Sequence, residues 1–143
     1  GATVFGHFLA ITRIPFGVAN WVTGFNLPSY VIMAMVIGGY LVGGCFIDAL
    51  AFIMLTVPIF YPVIVSMGYD PMWFGVVIVL VTQIGVITPP VGVNVYVVSG
   101  VARSVPLEVI FRGVIPLLIA LVVGVMVMIP FPQIALFLPG LMK

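Results

Sequence analysis

Two short stretches of this sequence place polar groups in otherwise apolar surroundings. In Gly43-Gly44-Cys45-Phe46-Ile47-Asp48 a carboxylate follows a pair of glycines. In Ile87-Thr88-Pro89-Pro90-Val91-Gly92-Val93-Asn94 a hydroxyl and a carboxamide flank a double proline. Carboxylate, hydroxyl, amide and unwound carbonyl oxygens are hard donors suited to a small cation. Helix N-termini beside them favour the anionic end of a solute, and broken helices near mid-membrane are a recurring architecture of secondary transporters. Backbone in hydrocarbon must bond to itself, so irregular segments persist only inside protein or beside a cavity. Two such breaks in one chain imply a polar cavity between them.

The surroundings are those of a membrane protein. Of the 143 residues, 64% are hydrophobic and 5% charged, and mean hydropathy is +1.47. A soluble domain carries roughly 25% charged residues to wet its surface, so lipid must solvate much of this chain. Four basic residues and a net charge of +1 make no phosphate-tracking patch, which excludes nucleic acid as a partner. The one cysteine, Cys45, excludes an internal disulfide and a Cys-rich metal site and reads as a small apolar residue. The opening Gly1-Ala2-Thr3 lacks an initiator methionine, and no basic stretch precedes a small-residue cleavage site. The expectation is a mature internal piece of something longer, without a signal peptide.

The elements that hold the two motifs follow from span lengths. Residues 71–102 carry no formal charge and would form one helix of about 48 Å at 1.5 Å per residue. That is too long for one crossing of a core of about 30 Å and too short for two. A discontinuous transmembrane helix is expected, broken at 88–92, because Pro89 and Pro90 remove two donors and push Thr88 out of the helical region. Gly85 and Gly92 flank the break and loosen it. Residues 28–67, with the single charge Asp48, divide into a helical hairpin with its tip near 43–48. The hairpin is either re-entrant, with Asp48 near mid-membrane, or two full spans, with Asp48 in a cytoplasmic turn. Residues 104–129 read as the final transmembrane helix, with Ser104 as cap, Pro106 in the first turn and Glu108 at the positive dipole end. Residues 1–27 read as connecting or interfacial helices and 130–143 as an interfacial tail. Arg103 and Arg112 bracket a short polar connection, placed in the cytoplasm by the positive-inside rule. Gly68-Tyr69-Asp70 and the segment near Asn26 then fall outside, and Arg13 inside. The fold class is all-α.

Several residues have plainer readings beside the chemical ones. Asp48 can cap the second hairpin helix, yet an ionisable residue within the membrane points first to a cation site, and the two roles are compatible. Thr88 can bond back to backbone freed by the prolines. Asn94 can join helices by a side-chain hydrogen bond, and Gly38-Gly39 and Gly43-Gly44 allow close helix packing. His7 is a packing or interfacial residue, and the many Met and Phe residues face lipid or fill the core.

The order and spacing of the motifs resemble one family over nearly the whole chain. Gly44-Cys45-Phe46-Ile47-Asp48, Leu55-Thr56-Val57-Pro58-Ile59 and Tyr61-Pro62 are similar to the second hairpin of the large permease subunit of TRAP transporters. Gly68-Tyr69-Asp70-Pro71, Trp73-Phe74-Gly75, the segment Ile87 to Asn94, Arg112-Gly113-Val114-Ile115-Pro116 and Phe131-Pro132 resemble the same subunit. The resemblance implies a sodium-driven importer of C4-dicarboxylates, sialic acids or other organic acids. It implies a periplasmic solute-binding protein and a small membrane subunit as partners, in the bacterial inner membrane. It places a sodium site at Gly44, Asp48, Thr88 and Gly92, and solute-side contacts at Gln83, Pro89, Pro90 and Asn94. Sodium is then the coupling ion, with no cofactor and no transition metal. Thr82 and Gln83 stand where family members often carry asparagine and glutamate. The family's first inverted repeat, with its serine-rich hairpin, lies outside these residues, so this N-terminal half is itself a required partner.

Other function classes fit less well. A citrate- or arsenical-type anion permease shares the broken-helix build but not this motif order. A non-transporting scaffold subunit needs no breaks. An intramembrane aspartyl protease needs two facing aspartates, whereas Asp70 sits in a loop beside a proline. No nucleophile with a base and no zinc-protease HExxH pattern occurs, so no enzymatic activity is expected.

Overall fold

A computed structural model describes residues 1–24, 27–89 and 91–141, so Asn26 and Pro90 lie outside the described residues. Every regular element described is a helix, and the order is α1 (Ala2–Thr12), α2 (Ile14–Thr23), α3 (Ser29–Gly44), α4 (Ala49–Ser66), α5 (Pro71–Ile87), α6 (Val93–Val101), α7 (Leu107–Met128) and α8 (Gln133–Leu141). The all-α expectation is met in these residues.

Helix α5 is the axis of the assembly. Trp73, Phe74, Val77, Ile78, Val81, Thr82, Ile84, Gly85 and Val86 are all buried, a distribution that wraps most of the helix circumference. A helix apolar all round must be covered all round, and α3, α4, α6, α7 and α8 all pack against it. Its start follows from Asp70, whose carboxylate accepts from the Met72 and Trp73 amides at 2.7 and 3.2 Å, with Pro71 suited to the first helical position. Its end follows from Pro89, which holds Thr88 in extended backbone, φ −90° and ψ 139°.

The hairpin arms α3 and α4 are joined through Tyr40, which is 1% exposed. Its ring lies 5.1 Å from Phe52 and 5.7 Å from Phe60 on α4, and 6.3 Å from Phe74 on α5. Its hydroxyl and that of Thr56 are hydrogen-bonded at 2.7 Å, so the buried phenol has the partner it needs.

Trp73 fixes the α5–α7 pairing, because its indole N–H donates to the Met128 carbonyl at 2.9 Å. The start of α5 therefore meets the end of α7, and the two helices run antiparallel. The start of α3, residues 68–70 and α8 gather at this same end. Here Tyr69 stacks on Trp73 at 5.5 Å. Trp73→Phe keeps the ring packing but leaves the Met128 carbonyl unpaired, at an expected cost of about 1 kcal/mol. A lowered thermal midpoint of the detergent-solubilised protein reads this, and an unchanged midpoint sinks it.

Among the described residues two helices are long and apolar enough to cross a membrane, α4 and α7, and little of either is buried inside the chain. At 1.5 Å per residue, α7 measures about 33 Å, enough for a hydrocarbon core. Helices α3 and α5 are shorter, at 16 and 17 residues. Large apolar side chains stay exposed along α7, including Leu117, Ile119, Val123 and Met126, a surface that lipid or protein must cover.

Two local expectations need correction. Ser104 does not cap the last helix: α7 has Pro106 at its N-cap with no side-chain bond, while Glu108 does lie in the first turn. Extended Pro106, at ψ 141°, separates the Ser104 hydroxyl from the helical amides. Gly38 and Gly39 would have nothing within 4 Å of an added Cβ, so within this chain they serve no close packing. Within the tail, 133–141 is helical and packs on α5.

Candidate functional site

The hairpin tip and the helix break meet at one level of the bundle, and two glycines set the distance. A Cβ on Gly85 would lie 2.6 Å from the Leu41 carbonyl oxygen and 2.9 Å from the Gly44 Cα. A Cβ on Gly44 would lie 2.9 Å from the Thr82 carbonyl oxygen. These are backbone atoms, so neither position tolerates a side chain at this separation. Gly85 thus acts by close approach rather than by loosening the break, since it lies inside regular α5. In lipid, where helix association rests on packing rather than on water release, such contacts dominate.

Beyond this contact lies a cavity of about 410 Å³, walled by Asp48, Ala49 and Leu50 from the start of α4, Ile53 one turn on, Val79, Gln83 and Val86 from α5, and Val93 and Asn94 from the start of α6. Three of the sequence-predicted residues, Asp48, Gln83 and Asn94, therefore share one space. All three are exposed.

The polar groups in and around the cavity differ in what already engages them. Asp48 is the N-cap of α4: Oδ1 accepts from the Ala51 amide at 3.1 Å, which leaves Oδ2 for another partner. Gln83 and Asn94 take part in no side-chain hydrogen bond among the described residues. Thr82, 0% exposed, donates to the Ile78 carbonyl at 2.7 Å and does not reach the cavity. The Thr88 hydroxyl donates to the Ile84 carbonyl at 2.5 Å, which is the back-bonding reading of that residue.

Gly92 is buried and left-handed, φ 59° and ψ 60°, and forms the N-cap of α6 without a side-chain bond. A Cβ there would also lie 3.1 Å from the Phe111 ring of α7, so glycine is required twice over. The first amides of α6 point from a helix end that no described side chain caps, which leaves the partial positive charge of that terminus open to a ligand. Pro89 is exposed at the break. Of the residues assigned to an ion, only Asp48 lines the cavity; Gly44 lies in the helix contact behind it, and Thr88 and Gly92 frame the break. Sequence reading did not single out Gly85 as a contact point, nor Phe111; a glycine three residues before a Thr-Pro helix stop was the available signal for the first.

Comparison with known proteins gives a consistent picture. The family model described as "Tripartite ATP-independent periplasmic transporter, DctM component" matches residues 1–134. A C4-dicarboxylate TRAP transporter large permease protein of Pseudomonas aeruginosa is 36% identical over 139 residues, covering 97% of this chain and 32% of that protein. A sialic acid TRAP transporter large permease protein of Vibrio cholerae is 38% identical over 141 residues, covering 99% and 33%. An ectoine TRAP transporter large permease protein of Halomonas elongata is 33% identical over 139 residues, covering 96% and 32%. The chain spans about a third of the length of these curated relatives.

Proposed function

The chain belongs to the DctM component family of tripartite ATP-independent periplasmic (TRAP) transporters, and from that premise we propose that it forms part of a sodium-coupled importer of organic acids. The observation that carries this reading is the cavity at the break, where Asp48, Gln83 and Asn94 converge from three helices within a chain otherwise built for lipid. Intramembrane polar groups are costly, so they are retained where something polar passes.

The division of charge supports a cation and an anionic solute in one space. A lone carboxylate with neutral oxygens nearby suits a monovalent cation. No group of three His, Cys, Asp or Glu side chains gathers among the described residues. The uncapped start of α6 suits a carboxylate on the solute. The relatives carry names for C4-dicarboxylate, sialic acid and ectoine transport, so the family membership leaves the solute open, and an organic acid is our reading.

In this reading 28–67 is a re-entrant hairpin and the chain is one of two inverted repeats. Helix α3, with 16 residues, measures about 24 Å, short of a core of about 30 Å. Its tip ends against the break, while α7 continues alongside both α5 and α6. The remaining permease, a small membrane subunit and a periplasmic solute-binding protein complete the transporter, in the bacterial inner membrane. The relatives are named permeases rather than enzymes, in keeping with a non-enzymatic role.

The test is uptake into proteoliposomes by the complete assembly, with succinate and N-acetylneuraminate as solutes and the binding protein outside. Uptake that needs an inward sodium gradient is expected. Uptake indifferent to sodium, with the potential held fixed, removes the coupling.

A further inference from the structure

The cavity presents hydrogen-bonding amides and, among the described residues, no cationic side chain. On its α5 wall the row Val79, Gln83, Val86 contains one polar residue, because the hydroxyls of Thr82 and Thr88 are engaged by their own helix. On the α6 wall Asn94 supplies a second carboxamide. The described arginines, Arg13, Arg103 and Arg112, lie elsewhere, and none lines the cavity.

Guanidinium and ammonium groups are the usual partners for pinning carboxylates by charge. A carboxamide offers a donor and an acceptor together, which matches a hydroxyl or an amide on a ligand. A solute that lacks the matching group forgoes the hydrogen bond to the amide. A site with such groups therefore discriminates against a solute that lacks the matching hydroxyl.

We propose that Gln83, with Asn94 on the facing wall, is a specificity-determining residue that reads hydroxyl or amide groups of the solute, so that the cavity prefers a hydroxylated organic acid to a plain dicarboxylate of the same length. This rests on the transport reading above and assigns within it the class of solute.

Succinate, malate and tartrate test it, since they share a four-carbon diacid frame and carry zero, one and two hydroxyls. The measurement is the thermal midpoint of the complete permease with its small subunit, without binding protein, titrated with each acid in sodium and in potassium. The wild type should bind tartrate about 10-fold tighter than succinate, about 1.4 kcal/mol, through two added hydrogen bonds. Gln83→Met, close in shape, should bring the ratio down to about 3-fold or less while succinate binding persists, which also shows that the variant folds. Sodium-dependent binding with equal affinity for the three acids overturns the role of Gln83 and leaves the transport reading intact. So does a full gradient retained in Gln83→Met. No sodium-dependent binding of any of the three, nor of N-acetylneuraminate, overturns both.

Discussion

Gly85→Ala will destabilise the protein and stop uptake, although alanine is the better helix former. Within a helix the exchange of glycine for alanine gains about 1 kcal/mol of propensity. Against this stands a Cβ placed 2.6 Å from the Leu41 carbonyl and under 3 Å from the Gly44 backbone. Overpacking against atoms that can move costs typically 1–3 kcal/mol; here the facing atoms are main chain, so about 3 kcal/mol is the better figure. The net loss is then about 2 kcal/mol. Relief requires α3 to withdraw from α5, which separates the hairpin tip from the break and distorts the cavity between them. Gly75 provides an internal comparison on the same helix, with nothing within 4 Å of its added Cβ. Gly75→Ala should be neutral or stabilising by up to about 1 kcal/mol. Thermal unfolding of both variants in detergent, alongside uptake by the complete assembly, checks the pair. Equal behaviour of the two variants would mean that the close approach does not set the hairpin's position.

The contrast between these two glycines also shows where sequence reading stops. The break at 88–92 was legible because Pro89 acts on its neighbour through local sterics, and the structure stops α5 at Ile87 accordingly. The hairpin tip was legible because Asp48 after two glycines is a local signal, and α3 and α4 end and begin around it. That Gly44 and Gly85 touch was not legible, since the contact joins positions on different helices and glycine leaves no pattern that names its partner. For the same reason Gly38-Gly39 and Gly43-Gly44 read alike in sequence, yet only the second pair is crowded. Ser104 failed as a cap because two candidate start signals, Ser104 and Pro106, fall within three residues and the helix begins after the second. The site shows the same division. Asp48 and Asn94 were drawn from local motifs, whereas their shared cavity with Gln83 depends on how three helices pack. Thr88 could satisfy its own helix or an ion, and only the bond to Ile84 shows which group its hydroxyl meets in this arrangement.

Asp48→Asn will keep the fold and impair the response to sodium. Asparagine is as good an N-cap as aspartate, and its side-chain oxygen can still accept from the Ala51 amide. Stability should therefore change by less than about 0.5 kcal/mol. The charge, however, is gone. A unit charge pair at about 4 Å is worth about 4 kcal/mol at an effective dielectric of about 20. Part of this is offset by dehydration of the ion, so a 10- to 100-fold rise in the sodium concentration for half-maximal uptake is the expected range, about 1.4 to 2.8 kcal/mol. Asp48→Ala separates the two roles, because it removes the cap as well, at a further cost of about 1 kcal/mol in stability. Sodium-dependence curves for wild type, Asp48→Asn and Asp48→Ala in the complete assembly carry the decision. If both variants need far more sodium while only the alanine variant melts early, the carboxylate serves the ion and the cap together. If the asparagine variant follows the wild-type curve and the alanine variant is merely less stable, Asp48 is a helix cap and the cation is held elsewhere in the transporter.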